Sequence, residues 1–142
     1  MNAQNLIAKA ERAVASARLL LEAGDMDGAC NRAYYAMFDA ARAALMASGA
    51  PAETEMARTH SGLISAFSLH LVKTGRVPVE LGGALNKTEE IRLVADYKGD
   101  AVEYEQADWA VRQAEVFVQA MQAEFVPDTH NQKKDADNGF EP

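Results

Sequence analysis

The chain lacks most features of secreted, membrane-spanning and metal-binding proteins. Its 142 residues include a single cysteine, Cys30, which excludes an internal disulfide and a cysteine-based metal cluster. No apolar run approaches the roughly 20 residues that a membrane-spanning helix needs. The first residues, MNAQNLIAKAERA, lack the continuous apolar core of a signal peptide. We therefore expect a cytoplasmic protein that contacts no membrane and forms one domain around one core.

The common catalytic and cofactor-binding patterns are also missing. The sequence contains no glycine-rich phosphate loop, no HExxH or CxxC metal-binding spacing and no serine-hydrolase elbow. We therefore expect no bound metal and no cofactor.

Basic charge is scarce and unevenly distributed. The chain has 14 basic and 21 acidic side chains, for a net charge of −7. Only residues 58–98, with six basic and four acidic side chains, are net positive. A broad, non-specific nucleic-acid binder usually presents a strongly basic face. Any contact with RNA would therefore be local and would use this middle segment.

Apolar residues recur at helical spacing in several segments, whereas the alternation typical of strands is absent. The expected helices run from Ala3 to Ala23, from an Asp25 or Asp27 cap to Gly49–Pro51, from near Thr54 to a Gly75 cap, from Pro78 or Ala84 to Tyr97, and from Glu103 to Phe125. The start of the fourth helix stays open, because its pattern begins at Pro78 but Gly82 and Gly83 weaken the first turns. Short connections predict an all-α, antiparallel up-and-down bundle of four to five helices over residues 1–126. Residues 127–142 have no periodicity and many helix breakers, so we expect a flexible polar tail.

Each pattern also predicts the side of the helix that is buried. The expected core residues are Leu6, Ile7, Ala10, Val14, Ala17 and Leu21, then Cys30, Tyr34, Met37, Ala41 and Leu45, then Leu63, Ile64, Phe67 and Leu71, and finally Trp109, Val116, Phe117, Ala120 and Met121.

The second helix carries another stripe beside its core stripe. Arg32, Tyr35, Asp39 and Arg42 recur at the same three-to-four spacing. The stripe is either a solvated face held together by an Asp39–Arg42 pair, or the lining of a groove or dimer surface.

Two further segments contain side chains suited to chemistry. His60 shares the apolar face of the third helix, so it is either a packed residue or a group that transfers protons or binds phosphate. Arg92 and Asp96 are one helical turn apart and can pair. Tyr97 lies roughly 140° around a continuous helix from Arg92, so it can join Arg92 only where the helix ends or distorts.

Four segments together resemble a known family. They are CNRAYYAMFDAARAAL, RTHSGLISAFSLHLVKTG, EEIRLVADY and AVRQAEVFVQAM, which begin at residues 30, 58, 89 and 110. In this order and spacing they resemble the small stand-alone HEPN-domain proteins of bacteria and archaea. The resemblance implies a helical bundle that forms homodimers and is often paired with a small nucleotidyltransferase, as in toxin–antitoxin modules. Catalytic members are metal-independent ribonucleases with an arginine followed four to six residues later by a histidine.

The resemblance assigns the arginine to Arg92, but the matching histidine position is Tyr97. A tyrosine with an ordinary pKa near 10 is a poor base at neutral pH. Either ribonuclease activity is lost, or His60 supplies the proton transfer. In some paired systems the nucleotidyltransferase adenylylates a tyrosine next to this motif, which makes Tyr97 the candidate acceptor.

The sequence leaves three hypotheses about the function. In the first, the chain is a HEPN module that binds or cleaves RNA, as the toxin of a toxin–antitoxin pair. Arg92, Tyr97 and His60 would be catalytic, and Arg32, Tyr35 and Asp96 would complete the groove. In the second, the chain is a non-catalytic partner or substrate-binding subunit of a nucleotidyltransferase. In the third, it is a structural bundle whose polar stripes are only solvated.

Overall fold

The chain folds as a bundle of five α-helices in a computed structural model that describes residues 2–50, 59–97 and 102–127. The helices are α1 (Ala3–Glu22), α2 (Met26–Ser48), α3 (His60–Phe67), α4 (Val79–Tyr97) and α5 (Tyr104–Phe125). A π-helical turn, Ser68–Val72, continues α3. The described ranges contain no strand, and the predicted all-α bundle is confirmed. None of the described helices has the length and apolar character needed to cross a bilayer.

Helix α2 is central, because it packs against each of the other four helices. Its predicted core stripe, from Cys30 to Leu45, is buried as expected. The most extensive packing is between α1 and α2, and many of the buried side chains on both helices are alanines. The buried alanines are Ala10, Ala13, Ala17, Ala29, Ala33, Ala36, Ala40, Ala41, Ala43 and Ala44. Alanine favours the helix and is small enough for two helix backbones to approach closely.

Side chains and glycines define the helix ends. Asp25 caps α2, since its carboxylate accepts a hydrogen bond from the Gly28 amide at 2.9 Å. Gly49 ends α2 with a φ of 73°, a conformation that glycine adopts without strain. Thr59 caps α3 by accepting from the Gly62 amide at 2.9 Å. The expected start near Thr54 lies outside the described residues, as does the expected tail from residue 128 onward.

Helix α4 begins at Val79, directly after Pro78, which is the earlier of the two expected starts; Gly82 is buried against Val72, and this packing offsets its low helix propensity. One predicted core residue is wrong. Val116 is exposed, whereas Val118 is buried beside Phe117. Val116 lies about 200° around the helix from each of the buried residues Ala114 and Val118, which places it on nearly the opposite side.

The two glycines of α4 provide a matched test of this packing. A Cβ added at Gly83 meets nothing within 4 Å, so Gly83→Ala should raise the free energy of unfolding by about 1 kcal/mol through helix propensity. A Cβ added at Gly82 would lie 3.0 Å from Val72 Cγ2. Gly82→Ala should therefore gain less than Gly83→Ala or lose stability. Urea denaturation of both variants measures the difference, and an equal gain in both would contradict the Gly82–Val72 contact.

Candidate functional site

The best-formed polar site surrounds the side chain of Tyr34 on α2. Tyr34 is fully buried, as predicted, but its hydroxyl is not idle. The hydroxyl oxygen lies 2.6 Å from His60 Nδ1 and 3.1 Å from Glu89 Oε2. These contacts join α2 to α3 and α4. We call Tyr34, His60, Glu89 and Arg92 the Tyr34 cluster.

His60 is held by aromatic rings on α2. As the first residue of α3, it stacks on Tyr34 with the ring centroids 5.4 Å apart and the planes at 22°. The Phe38 ring lies 4.7 Å away, and the Tyr35 ring meets His60 edge-on at 5.6 Å. Burial, and then the charge of Arg92, lower the pKa of His60 below its usual value, while Glu89 opposes this shift. This shift favours the neutral form of the imidazole at neutral pH.

Arg92 points inward from α4, with its side chain only 8% exposed. Its guanidinium carbon lies 4.7 Å from the Tyr34 ring centroid and 5.7 Å from that of Tyr35, in cation–π geometry. Nη1 donates to Asp96 Oδ2 at 3.1 Å, which confirms the predicted Arg92–Asp96 pair. Within the described residues the buried Nε atom has no hydrogen-bond partner. A buried guanidinium with an unused donor is costly for the fold, which points to a role beyond packing.

Tyr34 itself is not a base. Burial, and then Glu89, raise the pKa of its hydroxyl far above the ordinary value, although Arg92 opposes the shift. The phenol therefore keeps its proton at neutral pH. Its part in the cluster is therefore to connect His60 and Glu89 by hydrogen bonds.

The structure brings together four of the six candidate site residues and leaves two apart. His60, Arg92, Tyr35 and Asp96 lie in or beside the cluster. No hydrogen bond, ion pair or cation–π contact joins Arg32 to the cluster within the described residues, and its charge acts instead on the Asp39 carboxyl. Tyr97 is 77% exposed, because α4 stays helical to its last residue and carries Tyr97 away from the side that holds Arg92.

The solvated-face interpretation of the second stripe on α2 is wrong for Asp39. This residue is buried, and burial raises the pKa of its carboxyl while Lys9, Arg42 and Arg32 oppose the shift. No ion pair joins Asp39 to Arg42 in the part of the chain that the structure describes. Tyr35, in contrast, is half-buried and its ring lines the Tyr34 cluster.

Two members of the cluster, Glu89 and Tyr34, are not among the site residues predicted from the sequence. Glu89 precedes Arg92 by three residues and Asp96 follows by four, so helical spacing already places all three on one side of α4. Helical spacing was therefore enough to predict that Glu89 lies on the same side of α4 as Arg92. The role of the Tyr34 hydroxyl had no local signal, because its two partners are 26 and 55 residues away along the chain.

Comparison with known proteins agrees with the resemblance seen in the sequence. A model of the HEPN domain family matches residues 3–124. The UPF0332 protein of Thermotoga maritima is 38% identical over 117 residues, which cover 80% of this chain and 83% of the relative. A UPF0332 protein of Gloeobacter violaceus is 38% identical over 96 residues, or 68% of this chain and 72% of the relative. A protein of Methanocaldococcus jannaschii named "Putative toxin MJ0605" is 33% identical over 115 residues, which cover 81% and 82% of the two chains.

The charges around His60 predict how its pKa responds to substitution. Arg92→Gln removes a nearby cation and should raise the pKa of His60, whereas Glu89→Gln removes an anion and should lower it further. A pH titration of the imidazole carbon-bound protons by NMR measures both shifts.

Arg76→Gln is the matched control for the Arg92 variant. Arg76 also stacks on an aromatic ring, with its guanidinium carbon 4.7 Å from the Phe125 centroid, but this pair is distinct from the Tyr34 cluster. Its loss should leave the pKa of His60 unchanged. Equal shifts in the Arg76 and Arg92 variants would show that general surface charge controls His60.

Proposed function

This chain belongs to the HEPN domain family, and from that premise we propose that it is a toxin-like module that binds RNA and cleaves it without a metal ion. One observation carries the proposal: α2, α3 and α4 bring a buried guanidinium and an imidazole against the same tyrosine ring. These two groups have the roles that the family's ribonucleases require. Two archaeal relatives have "toxin" in their names, which supports the toxin-like part of the proposal.

Arg92 would bind the scissile phosphate. A guanidinium pairs with phosphate oxygens through two parallel hydrogen bonds, and such charge-assisted bonds are strong where water is largely excluded. In the structure Asp96, whose side chain is 30% exposed, occupies Nη1, while Nε has no partner among the described residues. An incoming phosphate would bind the edge that Nε and Nη2 form, which leaves Asp96 on Nη1. The two tyrosine rings beneath the guanidinium fix its position.

His60 would move the proton. As a neutral imidazole it accepts the proton of the ribose 2′-hydroxyl, and the 2′-oxygen then attacks phosphorus. The phosphorus–O5′ bond breaks to leave a 2′,3′-cyclic phosphate, the 5′-oxygen takes up a proton from solvent, and His60 returns its own proton to solvent. Arg92 stabilises the charge that builds on the phosphorane oxygens. In this proposal His60 replaces the histidine that the family motif has at the position of Tyr97.

The proposal predicts selective loss of RNA cleavage. With 5′-labelled tRNA and excess EDTA, Arg92→Ala and His60→Gln should each slow cleavage by about 100-fold or more, since each removes a group that acts in the transition state. Gel electrophoresis and detection of a 2′,3′-cyclic phosphate end measure the reaction.

Arg76→Ala and His70→Gln are the matched controls, since they remove the same side-chain types outside the cluster. Both should retain cleavage within a few-fold of the unmodified protein. RNA that stays equally intact with the unmodified protein and with Arg92→Ala, together with no measurable binding, would rule out the proposal.

The position of Tyr97 favours a second function, that of a partner modified by a nucleotidyltransferase. Its side chain is 77% exposed at the end of α4, so a second protein can reach its hydroxyl. In such a reaction the phenol oxygen attacks the α-phosphorus of ATP, an O–P bond forms, pyrophosphate leaves and the phenol proton passes to solvent. The chain would then be a binding partner and substrate of the transferase, and the adenylyl group would add negative charge beside Asp96.

Co-expression with a nucleotidyltransferase encoded next to this chain tests the second function. Intact-mass spectrometry should show one added adenylyl group, lost in Tyr97→Phe and retained in Tyr104→Phe. Tyr104 is a suitable control because it is also exposed, by 53%, at the end of a helix. A chain that purifies alone and unmodified would exclude this function.

A further inference from the structure

We infer that Glu89, acting through the Tyr34 hydroxyl, fixes His60 in the tautomer that carries its proton on Nδ1 and leaves Nε2 as the basic nitrogen. Glu89 and Tyr34 are then positioning residues for a base that acts through Nε2. The inference deepens the proposed ribonuclease function and rests on it for the identity of the substrate, but the tautomer itself follows from the geometry of the free protein.

The first step is a count of hydrogens. The Tyr34 oxygen has two close neighbours, His60 Nδ1 at 2.6 Å and Glu89 Oε2 at 3.1 Å, but only one hydrogen to donate. A carboxylate can only accept, whereas a neutral imidazole nitrogen can donate or accept. When the Tyr34 hydroxyl donates its hydrogen to Glu89, a lone pair of the Tyr34 oxygen faces His60 Nδ1. Nδ1 must then carry the imidazole proton and donate it to Tyr34. In the opposite arrangement, a phenol lone pair would face a carboxylate oxygen with no hydrogen between them.

Burial makes the second arrangement costly. Tyr34 is fully buried, so water does not reach its hydroxyl to relieve the repulsion between two acceptors. Two acceptors facing each other in a low-dielectric interior cost more than the same pair in solvent. The arrangement that satisfies all three groups runs from His60 Nδ1 to Tyr34 and from Tyr34 to Glu89.

The aromatic packing keeps the imidazole from exchanging its two nitrogens. The rings of Tyr34, Tyr35 and Phe38 contact His60 with centroids 4.7 to 5.6 Å away. A rotation that brought Nε2 to the Tyr34 hydroxyl would have to displace these rings. Nε2 is therefore the nitrogen away from Tyr34, and within the described residues it has no hydrogen-bond partner.

This arrangement prepares His60 for base catalysis. A base is most effective when a third group holds it in one tautomer and one orientation, as a carboxylate does for histidine in hydrolases. Here the carboxylate of Glu89 orients His60 indirectly, through the hydroxyl of Tyr34. When Nε2 accepts a proton, Nδ1 still donates to Tyr34, and the nearby charge of Glu89 stabilises the imidazolium that forms. Proton transfer at Nε2 therefore requires no rearrangement of the cluster.

Long-range ¹H–¹⁵N correlation spectra of the full ¹⁵N-labelled chain test the inference without RNA. The chain has three histidines, His60, His70 and His130, and the signal lost in His60→Gln identifies His60. At pH 8 the ¹⁵N shifts of His60 should show a protonated Nδ1 and an unprotonated Nε2. A protonated Nε2 with a bare Nδ1 would overturn the inference.

Three variants assign the cause. Tyr34→Phe removes only the hydroxyl and should return His60 to a mixture of both tautomers. Tyr35→Phe removes the hydroxyl of the neighbouring ring and should leave the tautomer unchanged. Glu89→Leu frees the Tyr34 hydrogen for Nδ1 and should move the proton of His60 to Nε2, and circular dichroism checks that each variant is folded.

An unchanged tautomer in the folded Tyr34→Phe or Glu89→Leu variant would refute the roles of Tyr34 and Glu89. These spectra are independent of the cleavage assay. A protein that shows the expected tautomer but never cleaves RNA would refute the proposed ribonuclease and leave the hydrogen-bond chain established.

Discussion

The hydroxyl of Tyr34 is the constraint on which this site depends. A phenol that is fully buried must find hydrogen-bond partners inside the protein, because an unpaired hydroxyl costs roughly 1–3 kcal/mol. Its partners come from two other helices, His60 at the start of α3 and Glu89 in the middle of α4. One atom therefore fixes the mutual placement of three helices at this end of the bundle. The same atom orders an imidazole and a carboxylate, so packing and chemistry are coupled through a single oxygen.

Arg92, in contrast to Tyr34, is buried without enough hydrogen-bond partners. A guanidinium that is 8% exposed has lost most of its hydration, and one carboxylate with two aromatic faces only partly replaces it. A long, unbranched apolar side chain such as methionine would pack at this position with less cost to the fold. The same burial strengthens the field of the charge, since electrostatic interactions grow as the local dielectric falls. A residue that lowers the stability of the fold while it strengthens the local electrostatic field is typical of a functional site.

Local patterns were sufficient for the helices and most of the core. The stripe from Cys30 to Leu45 and the face from Leu63 to Leu71 follow from three-to-four spacing, and so does the Arg92–Asp96 pair. Exceptions arose where a contact between distant segments decided the outcome, as for Gly82 against Val72. The Tyr34 contacts are also of this kind, because spacing within α2 says nothing about which atoms of α3 and α4 meet its hydroxyl. The family resemblance pointed to Arg92 and Tyr97, but it could not show that His60 lies beside Arg92 while Tyr97 faces outward.

The alanine-lined contact between α1 and α2 has a consequence for how such a chain can diverge. Alanine is the smallest side chain that still favours a helix, so nearly every replacement there adds volume between two packed helices. The frame of the bundle therefore tolerates little drift. The outward side of α4, where Val79 and Tyr97 are exposed, has no such steric limit. Substitutions can accumulate on that side and alter what the protein recognises, while the frame continues to hold the buried groups in register.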